Sequence, residues 1–423
     1  MPTIEKNKTS TPTKFQKYCE KLINNYFQQM TEGKLKLINP SGKVYIYGKD
    51  KSANSATIEI SSYEFFTKCV LYGDIGFGES YVDGHWHTDN ITEVVSWFIL
   101  NTRKNPTKAL NAARSIFINS LGTINSIRHK FRSNTIKNSK INIHEHYDLG
   151  NDFYKIFLDE TMTYSCAYFE DKNQSLNEAQ ESKYDILCRK LKIQESDKVL
   201  EIGSGWGGFA EYAATNYGCS VKGITISKEQ LNFSNERILK KNLQQKVNFE
   251  LIDYRNIGGK YDKIVSIEMM EAVGDEFLED YFKQCDRLLN KDGLLGLQII
   301  TCPDSRYNSL RKGNDWTQKH IFPGSLLLAN NRMAEAMSKV SNLFLHSWEE
   351  FSHNYYRTLM SWHERFNNSL DTVRSQGFSE EFIRKWNYYL CYCAVGFNMR
   401  NVGVAQGIYS RPNNLTLRQI NAS

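Results

Sequence analysis

The chain has 423 residues, with 40% hydrophobic and 24% charged residues and a formal net charge of +6. This composition excludes a disordered or fibrous chain, and the length predicts two domains, each large enough for its own apolar core. Nine scattered cysteines, with Cys391 and Cys393 too close for a zinc knuckle, predict neither a disulfide framework nor a metal site. The polar start MPTIEKNKTS and the lack of a long apolar run predict a cytoplasmic protein with reduced thiols and no membrane span.

In chain order, Phe15, Cys19, Leu22, Ile23, Tyr26, Phe27 and Met30 recur at helical spacing, and Gly33 ends the stretch. LKLINPSGKVYIYG alternates apolar and polar residues around Pro40, Ser41 and Gly42, which predicts a β-hairpin, and Ala56 to Ile60 continues its sheet. YEFFTKCVLYG reads as a helix, GDIGFGESYVDGHW as a glycine-punctuated connection, and ITEVVSWFIL as a buried helix. Residues 1–100 are thus expected to form a small α+β accessory domain, suited to lipid binding or dimerisation.

Between Asn101 and Lys140 stand nine Lys or Arg residues and no acid, from Arg103 to Lys140. Leu110, Ala113, Phe117, Leu121, Ile124, Ile127 and Phe131 fall at three- and four-residue spacings within it, so a helix here would be amphipathic with cationic flanks. One reading is a linker helix packed on a neighbouring domain; the other is a membrane-surface helix, because an acid-free basic run favours anionic surfaces. The apolar positions suit lipid better than nucleic acid, and no nucleic-acid module accompanies them.

From residue 141 to 423 the pattern alternates strands and helices. Strands are predicted over 198–202, 220–225, 247–252, 261–267 and 294–300, separated by helices such as SKEQLNFSNERILKK and DEFLEDYFKQCDRLL. This alternation predicts an α/β domain with a parallel, doubly wound sheet. The aromatic segments SHNYYRTLMSW and YYLCYCAVGF in the last third are expected to cap that sheet.

The local chemistry is concentrated in VLEIGSGWGGF, an apolar strand running into Gly203, Gly205, Gly207 and Gly208 and then a helix. Glycines there let a nucleotide-like ligand approach the backbone at the carboxyl edge of the strand. The second strand ends in GITIS, with no acid where a dinucleotide fold places its ribose ligand, so NAD is disfavoured. Glu201 in the strand, with Asp253 and Tyr254 after the third strand, suits a nucleoside with a cationic amino-acid tail; for Asp253 a capped turn is an equal alternative. Glu268 and Glu271 follow the fourth strand, at the end where such folds bind ligands, and either carries catalysis or caps the helix beginning near Asp275.

Taken together, HYDLGNDFY, TYSCAYF, EIGSGWGG, GITISKEQ, EAVG, HIFPG and YYLCYCAVGF resemble, in order and approximate spacing, the cyclopropane-fatty-acyl-phospholipid synthases and the related mycolic acid cyclopropane synthases. The likeness runs from about Ile143 to Arg411. It implies a class I methyltransferase fold, a Rossmann-like doubly wound sheet with helical cap insertions, beside the small N-terminal α+β domain. It implies S-adenosylmethionine as methyl donor, held by Tyr147, Tyr164, Ser165, Glu201, Gly203, Gly205, Gly207, Thr225, Ile226, Ser227, Gln230, Asp253, Tyr254, Arg255 and Glu268. It further implies a bicarbonate ion as base, held by Cys166, Glu271, Gln298, the backbone of Ile300, and Tyr355, with Cys393 at a position proposed as catalytic in the family. The implied acceptors are unsaturated acyl chains of membrane phospholipids, met by a peripheral enzyme at the inner face of the cell membrane, with homodimerisation among the expectations. Gln298 and Ala272 stand where many members carry His, which leaves methyl-branched or methylene products as the alternative to a ring.

Overall fold

The computed structural model describes residues 11–49, 55–102, 149–313 and 315–417, which divide into two compact units. Tyr147 and the basic amphipathic stretch from residue 103 onward lie outside the described residues.

The first unit contains residues 11–49, 55–102, 315–321 and 370–399. Its sheet has strand order β2-β1-β3-β4, formed by β1 (Lys34–Ile38), β2 (Val44–Tyr47), β3 (Ser55–Ile60) and β4 (Trp86–His87). The predicted hairpin is β1 and β2, and Asn39 closes its turn by accepting from the amides of Ser41 and Lys43. The first helix, Lys14–Phe27, buries Cys19, Ile23 and Phe27 but leaves Phe15 exposed, so the apolar stripe is narrower than its sequence pattern.

The glycine-punctuated segment is a departure from expectation: a helix runs from Glu64 to Val82, kinked at Gly73, whose φ of 60° no ordinary helical residue adopts. Gly76 and Gly78 lie inside it for want of space. A Cβ on Gly76 would stand 2.1 Å from the Lys68 carbonyl oxygen, and one on Gly78 2.5 Å from the Trp316 ring. These glycines serve packing rather than turning.

The second unit carries a seven-stranded sheet of order β10-β11-β9-β8-β5-β6-β7. The strands are β5 (Lys198–Ile202), β6 (Ser220–Thr225), β7 (Val247–Leu251), β8 (Tyr261–Ile267), β9 (Leu289–Thr301), β10 (Phe344–Glu350) and β11 (Gly403–Ser410). β5 to β9 run parallel, as predicted, and β10 and β11 add an antiparallel edge. The expectation that the last third caps the sheet therefore needs correcting: residues 344–350 and 403–410 are strands of it, while the aromatic helix Glu380–Asn398 belongs to the first unit.

Alternation along the strands feeds two apolar layers. Leu200, Ile202, Leu295, Leu297 and Ile299 pack with Leu278, Phe282 and Met333 on one face. Val199, Val221, Val265 and Leu294 pack with Leu187, Leu191 and Phe209 on the other. Glu201 and Gln298 fall in register with the second set at the carboxyl ends of their strands, where side chains leave the core and meet a ligand.

Candidate active site

At the end of β5 the chain enters the glycine loop. Gly203 (φ 82°) and Gly205 (φ 52°) both take left-handed backbone, which favours glycine. Their surroundings differ. A Cβ on Gly203 would meet the Met269 side chain at 2.8 Å, whereas one on Gly205 would meet nothing within 4 Å, so the loop encloses open space at Gly205. Three buried polar atoms nearby in the fold have no hydrogen-bond partner among the described residues: Glu201 Oε2, Ser204 Oγ and the Tyr254 hydroxyl. Buried polar atoms left in that state call for a ligand or water. Burial holds the Glu201 carboxyl well above the usual carboxylate range, opposed by the Lys183 charge.

The neighbouring elements are fixed by their own caps. Ser227 accepts from the Gln230 amide and caps the helix Lys228–Lys240, and Thr225 donates to the Gln230 side chain. Ile226 lies between these two capping residues. Asp253 accepts from the backbone amide and guanidinium of Arg255, with Oδ2 to Nη2 at 2.7 Å, and so closes its own turn. That geometry is the capped-turn alternative of the sequence. The Tyr164 ring sits 5.4 Å from Tyr154, 5.2 Å from Trp362 and 6.4 Å from Phe322, an aromatic cluster of facing and edge-on rings.

The second constellation lies at the carboxyl ends of β8 and β9. Glu268 Oε1 accepts from the Cys166 backbone amide at 2.9 Å and from Gln298 Nε2 at 2.9 Å, and its Oε2 accepts from the Tyr355 hydroxyl at 2.5 Å. Three of the five groups expected to hold bicarbonate thus hold a side-chain carboxylate of the chain itself. The other two hold each other: the Ile300 amide donates to Glu271 Oε1, while Glu271 Oε2 is buried with no partner among the described residues. Neither acid caps the segment at Asp275, whose first turn has no side-chain cap.

Glu268 is the strained residue of this cluster. Its φ of 48° lies in the left-handed region, which costs a bulky residue on the order of 1 kcal/mol and persists only where surrounding contacts over-determine it. Loss of hydration raises its carboxyl above the usual range, while the Tyr355, Gln298 and Cys166 donors and the Lys183 charge pull it down. Glu271 is pushed up to about 8, by burial first and by the Glu268 charge second. Glu268 accepts three hydrogen bonds and donates none, the pattern of a carboxylate, whereas Glu271, raised to about 8, is the acid of the pair held toward its protonated form.

Two residues that the sequence reading did not single out orient the cluster. Lys183 is fully buried, donates to Ser165 Oγ at 2.8 Å and to Gln180 Oε1 at 2.6 Å, and is lowered to about 8 by burial against the raising charges of Glu268, Cys166, Asp159 and Glu201. Its signal was a lysine inside the apolar stripe Leu176, Ala179, Leu187. Gln406, a lone amide in the buried strand GVAQGIYS, accepts from Lys190 at 3.0 Å and donates to Gln298 Oε1 at 3.1 Å. Because lysine only donates, this relay fixes which way both amides point and turns the Gln298 NH2 toward Glu268.

Of the remaining expected residues, Cys166 contributes its backbone amide; its thiol donates to the Ala167 carbonyl and burial pushes it well above the ordinary thiol range. Cys393 lies on the helix Glu380–Asn398 in the first unit, whereas every other described site residue belongs to the second. Its thiol is also raised, by burial and then by the Asp315 charge, so neither cysteine is a thiolate at neutral pH.

A family model described as mycolic acid cyclopropane synthetase matches residues 134–407. The chain belongs to the mycolic acid cyclopropane synthetase family. It is 34% identical over 84% of its length to a cyclopropane-fatty-acyl-phospholipid synthase of Escherichia coli, covering 88% of that protein. It is likewise 34% identical to the tuberculostearic acid methyltransferase UfaA1 of Mycobacterium tuberculosis, over 79% of this chain and 78% of that one. Among solved structures, the cyclopropane synthase MmaA2 from Mycobacterium tuberculosis shares 28% identity with a TM-score of 0.60, covering 64% of this chain and 98% of that chain. The mycolic acid cyclopropane synthase CmaA1 complexed with SAH and CTAB has the same figures. Family membership carries the class I methyltransferase fold with it, in agreement with the sheet described above.

Proposed function

We propose that the chain transfers the methyl carbon of S-adenosylmethionine to the double bond of unsaturated phospholipid acyl chains and closes a cyclopropane ring. The donor fits the loop: the open space at Gly205 and the unpartnered Glu201, Ser204 and Tyr254 atoms are a place and a set of partners for a nucleoside with a polar tail. When bound, it supplies an electrophilic methyl group. An alkene is a weak nucleophile, so the chain's contribution is to orient it in a dry, largely apolar setting. Addition of a methyl cation leaves positive charge on carbon, and the faces of Tyr164, Tyr154 and Trp362 stabilise such charge without forming a bond to it.

The observation that carries this reading is the held carboxylate. A methyl group added to nitrogen or oxygen keeps its hydrogens, whereas ring closure needs a base that removes one. Glu268, fixed by three donors, is suited to that need, whereas transfer to a heteroatom calls on a base only for a proton of the acceptor itself. The E. coli relative supports the phospholipid acceptor. Among the described residues no helix is long and apolar enough to cross a membrane, so the acceptor is met from the membrane surface, with the basic stretch 101–140 supplying charge toward anionic headgroups at the inner face. Dimerisation is the other task suited to residues 1–100.

The test is incubation with vesicles of unsaturated phosphatidylethanolamine and phosphatidylglycerol and a methyl-labelled donor, followed by lipid mass spectrometry with olefin-specific derivatisation. Gain of the label with loss of the olefin is expected; label on a lipid whose olefin survives contradicts the reading. A second reading, a methylene or methyl-branched chain, is favoured by the equal identity to the tuberculostearic acid methyltransferase and by Gln298 and Ala272, and the same spectra separate it.

A further inference from the structure

The expected bicarbonate does not fit this site. A small anion needs several donors, and the Cys166 amide and the Tyr355 hydroxyl are spent on Glu268, the Gln298 NH2 on Glu268 and the Cys166 carbonyl, and the Ile300 amide on Glu271. Among the described residues, the one polar atom of the five expected holders left unpartnered is Glu271 Oε2, which in the protonated acid supplies a single donor. The chain tolerates left-handed backbone at Glu268 to keep this carboxylate in place, and the Lys190, Gln406 and Gln298 relay aims an amide at it. Gln298, Cys166 and Tyr355 are buried, yet Glu268 retains partial access, which a group that must reach a substrate requires.

We propose that the Glu268 carboxylate is a built-in base that takes the place of an exogenous bicarbonate ion, so that the enzyme works without one. The inference rests on the lipid-alkene reading given above. In the step, a C–H bond of the transferred methyl breaks, its electron pair forms the bond to the cationic carbon, and the proton goes to Glu268 Oε2. That oxygen accepts one hydrogen bond, from Tyr355, whereas Oε1 accepts two, so Oε2 is the one with a lone pair to spare. Water or buffer base then removes the proton and restores the carboxylate.

The test has two arms, each run on the full chain with S-adenosylhomocysteine affinity as the control for folding. In the turnover arm, unsaturated phosphatidylglycerol vesicles are supplied in carbon-dioxide-free buffer with and without added bicarbonate. Wild-type turnover should not respond to the ion. Glu268→Gln, which still fills the space, should fall about 10²- to 10⁴-fold in kcat and gain nothing from bicarbonate. Glu268→Gly, which frees all three donors and relieves the backbone, should fall as far without the ion and recover at least tenfold with it. The second arm uses no lipid: ¹³C-labelled bicarbonate should bind Glu268→Gly saturably and wild type not at all.

Saturable binding of bicarbonate by wild type, or a requirement for it in wild-type turnover, overturns the proposal, and so does Glu268→Gln at wild-type rate. The expected binding pattern without any lipid product would still support Glu268 as occupant of the anion's place, and would count against the acceptor reading instead.

Discussion

The glycine loop and the Glu268 cluster stand side by side at the carboxyl ends of adjacent strands, yet they differ in how complete they are. At the loop, buried polar atoms of Glu201, Ser204 and Tyr254 have no partner among the described residues, and a Cβ at Gly205 would meet none of them within 4 Å. At the cluster, both Glu268 oxygens are satisfied by groups from three separate segments. An incomplete site is one a ligand finishes; a complete one is preorganised, and its donors are not available to anything else. The contrast teaches which part of the chemistry arrives from outside and which part the chain brings itself.

Substitutions can break that contrast. After the Glu268 variants, the largest effect is expected for Glu271→Ala, which removes the acceptor of the Ile300 amide and opens a cavity beside Glu268: kcat should fall about 10²- to 10³-fold, with donor affinity little changed, as read by steady-state kinetics and calorimetry. Next is Gln406→Leu. Loss of the relay lets the Gln298 amide turn, and second-sphere losses of this kind run to about 10- to 100-fold; kcat should drop while S-adenosylhomocysteine binding holds.

On the loop side the signs reverse. Gly205→Ala places a methyl group in open space, so the fold should lose on the order of 1 kcal/mol from its φ of 52°, seen in thermal unfolding, while donor affinity falls at least about tenfold. Equal affinity in that variant would mean the open space is not the donor's.

Two pH profiles sharpen the division between the acids. Lys183 carries positive charge that lowers the Glu268 carboxyl, so Lys183→Met should raise the pH at which the base ionises, depress kcat at neutral pH and restore part of it in more alkaline buffer. Glu271 titrates at about 8, above its unfolded value, so its neutral form is the one the fold prefers, and its contribution to stability fades as pH rises from the ordinary carboxylate range through about 8. Glu271→Gln mimics that neutral form and still accepts from Ile300. It should give the smallest change of all at neutral pH, within about tenfold, with a weaker fall above pH 8 in kcat/KM.

Much of the fold was legible. The five parallel strands and their helices follow from strand and helix periodicity, and the glycine loop from a strand ending in four glycines. What was not legible depends on space rather than on pattern. Gly76 and Gly78 read as turn residues because nothing in a sequence tells a glycine that bends the chain from one that admits a neighbour. β10 and β11 join the sheet from segments far along the chain, and their antiparallel pairing leaves no helix between them to announce it.

The site divides in the same way. Its residues could be named, but Glu268 was counted with the donor's ligands and bicarbonate with the base, because Cys166, Gln298 and Tyr355 lie more than a hundred residues apart at their extremes and only the fold shows that they meet on one carboxylate. Lys183 and Gln406 gave a signal each, a polar residue in an apolar stripe or strand, that means either structure or function until its partners are known.

The central claim is that the methyl group gives up a hydrogen to a base the chain carries. It is tested most directly by supplying a donor with a trideuterated methyl group to wild type and unsaturated vesicles in bicarbonate-free buffer, and counting deuterium in the lipid product. The account predicts a product that has lost its olefin and keeps two of the three deuterons; a lipid that keeps all three, with its double bond intact, would contradict it.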